Sequence, residues 1–62
     1  MYRVVTHVGL TETHSPPVTA QGAIDAIRAA ILKGNAAQAY DANGGSVTFA
    51  QLQKETKREQ GG

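Results

Sequence analysis

The sequence contains no cysteine, no tryptophan, a single phenylalanine and only two prolines. Without cysteine there are no disulfides and no thiolate metal sites, two of the usual supports of very small domains. Long apolar runs are missing too, and nothing approaches the roughly 20 residues needed to span a bilayer. The leading stretch Met-Tyr-Arg-Val-Val-Thr-His-Val-Gly-Leu-Thr-Glu-Thr-His has no apolar core long enough for a secretory signal. Nor is there an excess of one charge: the net charge is +1 and the pI about 8.2, which directs the chain to neither nucleic acid nor membrane. Together these absences read as a cytoplasmic protein with no membrane partner.

What is present is one domain over residues 1–62, with 40% hydrophobic residues and no sign of wholesale disorder. Ten of those residues are alanines, which leaves fifteen larger apolar side chains. At about 1.5–3 kcal/mol for each one fully buried, that set barely offsets the chain entropy of such a domain. With disulfides excluded, the remaining remedy is association, so a homodimer is expected.

Residues 2–8 are dense in β-branched and aromatic types and read as a strand, with Tyr2, Val4, Thr6 and Val8 toward the core and Arg3, Val5 and His7 opposite. Residues 9–18 read as a proline-containing loop, because Pro16 and Pro17 cannot donate to a ladder. Thr19 is placed to cap a helix whose stripe of Ile24, Ile27 and Ile31 ends at Gly34. Asn43-Gly44 predicts a hairpin between strands at 36–42 and about 45–48. Thr48-Phe49-Ala50-Gln51 matches a capping box, with Val47 and Leu52 as its hydrophobic staple, opening a helix to about Arg58. Its polar end should run into water, with 59–62 a frayed tail. The expected fold is α+β in the order β-α-β-β-α. Its sheet is three-stranded and mixed, packed against one main helix, with a polar C-terminal helix beside it. The apolar first strand reads as a candidate exposed edge.

Motifs with chemical content are few. Asp41-Ala42-Asn43-Gly44-Gly45 resembles part of a calcium loop, but the position that needs a bidentate Glu is Leu52, so the ligand set fails. His7, Glu12 and His14 match no zinc spacing, and Ser15 beside His14 lacks an orienting carboxylate. No catalytic set converges, and no cofactor or metal is expected. The leading expectation is therefore a non-enzymatic, homodimeric interaction module with an unknown protein partner. Its surface would be the sheet face or the 9–18 loop: Arg3, Val5, His7, His14, Pro16 and Pro17. The alternative is weak nucleic-acid binding through Arg28, Lys54, Lys57 and Arg58, with Arg3, although Glu55 and Glu59 dilute that field.

Two resemblances add to this. The C-terminal Gly61-Gly62 resembles the diglycine tail of ubiquitin-like proteins and small bacterial sulfur carriers. That resemblance implies a terminal glycine that is adenylylated and converted to a thiocarboxylate or an amide. Those families enter the tail from an apolar strand, whereas Gln51–Gln60 reads as a polar helix. The stretch from Tyr40 to Leu52, after an alanine-rich helix, resembles small uncharacterised bacterial proteins and implies no activity.

Overall fold

In the computed structural model, which describes residues 1–60, the chain runs β1 (Arg3–Val8), β2 (Thr11–His14), α1 (Ala20–Leu32), β3 (Ala36–Tyr40), β4 (Ser46–Val47) and α2 (Phe49–Gln60). The four strands form one antiparallel sheet in the order β2-β1-β3-β4. The class is α+β as expected. The three-stranded mixed sheet is corrected to four antiparallel strands, and β1 is central rather than an edge.

The difference comes from residues 9–18. Val8 pairs with Thr11, so Gly9 and Leu10 alone make the turn. Gly9 has φ +61° and Leu10 a negative φ, as a type II′ hairpin requires of its first central residue. β2 then runs back along β1 with Val5 opposite His14, and Tyr2 bridges Val18 beyond the prolines. The register slips by one between these pairs, so Ser15-Pro16-Pro17 forms a bulge on an edge strand, where missing amides do no harm. The Ser15 hydroxyl repairs the ladder there, accepting from the Val4 amide at 2.9 Å and donating to the Pro16 carbonyl at 3.0 Å. This extra pass along the sheet brings α1 in at the Tyr2 end. β3 therefore returns antiparallel to β1, and the expected parallel crossover does not occur.

α1 starts as its sequence dictates, with the Thr19 hydroxyl accepting from the Gly22 amide at 3.1 Å. It ends in a Schellman closure: Asn35 donates to the Ala30 carbonyl and Gly34, at φ +77°, to that of Ile31. In the β3–β4 turn only Gly44 has positive φ, and the Asp41 carboxylate accepts from the amides of Asn43 and Gly45 at 2.9 and 2.8 Å. α2 opens with the capping box in full: Thr48 N–H donates to Gln51 Oε1 at 2.9 Å, and Gln51 N–H to the Thr48 hydroxyl at 3.2 Å.

The core is Val4, Ala20, Ala23, Ile24, Ile27, Ala39, Val47 and Leu52, on the face of the sheet that both helices cover. α2 lies along α1 as far as the buried Thr56 and stays helical to Gln60, and residues 57–60 are exposed, as the polar end was expected to be. Phe49, Leu52 and Thr56 form its inward stripe, in which Thr56 occupies a place an apolar residue would normally fill.

Candidate interaction surfaces

Cross-strand register decides which side chains share the uncovered face of the sheet. Arg3 lies opposite Tyr40, Val5 between His14 and Gln38, and His7 between Glu12 and Ala36. The sequence-expected residues Arg3, Val5, His7 and His14 are thus brought onto one face. Pro16 and Pro17 sit at its edge bulge. Val5 is only 7% exposed although no helix covers it and it does not belong to the main core cluster. Its neighbours on the sheet close over it. A groove of about 490 Å³ runs across this face, lined by Arg3, Val5, Glu12, His14, Pro17 and Tyr40 among others. Gln38 and Tyr40 were missed from sequence, and Glu12 was weighed there only as a metal candidate with His7 and His14, since only the register of β2 and β3 places these three on the face of Arg3 and Val5.

The chemistry of this face is modest. His14 Nε2 and Glu12 Oε1 are 3.6 Å apart with both side chains more than half exposed, a solvated contact of small energetic weight. Among the described residues no three His, Cys, Asp or Glu side chains converge as a metal set would. Ser15 is occupied by its backbone contacts.

A second surface lies at the Val8 end. Val8 and Leu10 belong to the β1–β2 hairpin, and Ile31 and Leu32 to the last turn of α1, which feeds β3 opposite His7. They are 46, 107, 63 and 88% exposed. Val8 faces the helix side of the sheet and Ile31 continues the Ile24–Ile27 stripe, so both extend the core beyond its cover. α2 cannot reach them. Arg28 stacks over Phe49 at 5.8 Å, and Glu59 lies beside Tyr2 and Thr19, so α2 runs back toward the Tyr2 end. The sequence reading turned Val8 and Ile31 toward the core and placed Leu10 in the 9–18 loop.

The third surface is the groove between the helices, about 490 Å³, lined by Gln21, Ile24, Arg28, Ala50, Gln53, Lys54, Thr56 and Lys57. Of the four expected phosphate contacts it gathers Arg28, Lys54 and Lys57. Arg58 lies apart, 3.3 Å from Glu55 on the other flank of α2. Thr56 is 8% exposed and its hydroxyl has no hydrogen-bond partner, at a cost of about 1–3 kcal/mol for such a group. On that other flank burial, then the charges of Glu55, Glu59 and Asp41, hold the Tyr2 phenol above its ordinary pKa of 10.0. Gly61 and Gly62 lie outside the described residues. Among the described residues no helix is long and apolar enough to cross a membrane.

Compared with known proteins, the chain matches no family model, no curated protein and no solved structure. Its surfaces therefore carry the functional argument.

Proposed function

We propose that the chain is a non-enzymatic interaction module that forms a homodimer through its Val8 end. The observation that carries this reading is the exposure, at one end of the core, of Val8, Leu10, Ile31 and Leu32. They are carried by elements that adjoin at this end, since α1 leads into β3 opposite His7, and exposed apolar surface of this kind supports an interaction site. Surface area supports it as well. A monomer of 6.5 kDa is expected to expose about 3,800 Å², and this chain exposes 4320 Å². A second copy seated on the same end extends the core of each subunit across a two-fold axis, a self-complementary contact. A stable interface takes about 800 Å² from each partner, just under a fifth of this surface.

The open sheet face, with Arg3, His7, His14 and Tyr40, remains on the outside of such a dimer and is the surface offered to another protein. A dilution series followed by sedimentation velocity tests the dimer. Reversible dimerisation at the Val8 end is expected, and a strict monomer at the highest concentration would remove the proposal.

A further inference from the structure

The groove between α1 and α2 has a different chemistry from the proposed dimer surface, which its Arg28 adjoins one turn before Leu32. Lys54 and Lys57 are one turn apart on α2, separated by about 4.5 Å along the axis. Both line the groove with Arg28 of α1, whose guanidinium is held over the Phe49 ring. Neither ion pair among the described residues involves any of the three. The nearest acid of α1, Asp25, accepts at 2.9 Å from the Gln21 amide, which also lines the groove. Gln53 adds a second amide. The remaining observation is Thr56, the one buried side-chain polar atom among the described residues that has no partner. A native structure rarely leaves such a group unexplained.

From this juxtaposition we infer that the α1–α2 groove is a binding site for phosphate groups, in which Arg28, Lys54 and Lys57 supply charge and Gln21, Gln53 and Thr56 supply hydrogen-bond donors. Arg28 can engage two phosphate oxygens at once through its planar fork, while the lysines act as point charges. Rotation of the Thr56 side chain turns its hydroxyl from the groove floor toward a bound oxygen, which gives the orphan donor its acceptor. The same phosphate chemistry is available from a small polyphosphate or from the backbone of a single-stranded nucleic acid. For the latter, three contacts give a salt dependence with a slope of about −2 in log K against log salt concentration.

The test is an amide-shift titration of the isotope-labelled full chain at low salt, with inorganic pyrophosphate and, separately, with an oligothymidylate. Saturable shifts confined to Gln21, Arg28, Gln53, Lys54, Thr56 and Lys57 are expected. A saturable response to pyrophosphate alone identifies a small phosphate ligand; tighter oligonucleotide binding with the stated slope identifies a nucleic-acid backbone. The double variant Lys54→Gln, Lys57→Gln changes exposed side chains only and should weaken binding about tenfold or more. Thr56→Val should weaken binding while leaving the chain folded. Absence of saturable shifts with either probe, or unchanged affinity in the double lysine variant, would overturn the site.

Discussion

The two ends of the sheet are built from the same kinds of residue and finish differently. At the Tyr2 end, Val4, Ala39 and Val47 lie beneath α1 and α2, and Leu52 is completely buried among them. At the Val8 end the apolar sequence continues in Val8, Leu10, Ile31 and Leu32, but α2 has turned the other way and no described element lies over them. Apolar pattern fixes which face of an element turns inward. Whether that face is covered depends on where the next element goes. The capping box that starts α2 sends it over one end. The uncovered end is the surface proposed to meet a second copy.

The contrast can be broken most strongly at its closed end. Leu52→Ala should cost about 2–5 kcal/mol, because the space cannot collapse under two helices. For a domain whose whole stability is about 3–9 kcal/mol, thermal melting should show a large loss or outright unfolding. The open end predicts the opposite outcome. Leu10→Asp with Leu32→Asp should leave the monomer folded by circular dichroism, because both side chains are exposed, and weaken the proposed self-association more than about tenfold. Smaller again is Thr48→Ala, which removes the hydroxyl of the capping box. A loss of about 1 kcal/mol in denaturant unfolding is expected, felt as loosened cover at the Tyr2 end. The smallest effect concerns pH. Folding favours the neutral Tyr2 phenol, so its contribution is fully present below pH 10.0 and is lost as pH rises through the higher folded value. Tyr2→Phe should flatten that alkaline decline without altering the neutral-pH fold.

Local signals in the sequence were read well where the responsible chemistry is local. Thr19, Gly34, Thr48 with Gln51, and the Asn43-Gly44 turn each act within a few residues, and each appears where its side chain or missing Cβ requires it. The hairpin at Gly9-Leu10 was missed because Leu10 is not a usual turn residue and the prolines drew the whole stretch toward a loop. Its signal was there in the β-branched Thr11 and Thr13 alternating with Glu12 and His14 after a glycine. That one omission also produced the wrong strand direction for β3. Of the sites, Arg3, Val5 and His7 were legible as one face because strand alternation is a local rule, whereas His14 joins them only through the register of the missed β2. The meeting of Arg28 with Lys54 and Lys57 depends on how α2 packs on α1, and no spacing along the chain expresses that. The exposure of Ile31 was equally hidden, since it continues a regular helical stripe and differs only in lying past the end of its cover.

In the proposed dimer the Val8 end of each subunit closes over the Val8 end of the other. The most direct measurement is an isotope-filtered nuclear Overhauser experiment on a sample mixing labelled and unlabelled chains. Intermolecular contacts among the methyl groups of Val8, Leu10, Ile31 and Leu32 are predicted. Intermolecular contacts confined to the sheet face around Val5 and Tyr40, or none at a concentration where the protein sediments as a dimer, would contradict it.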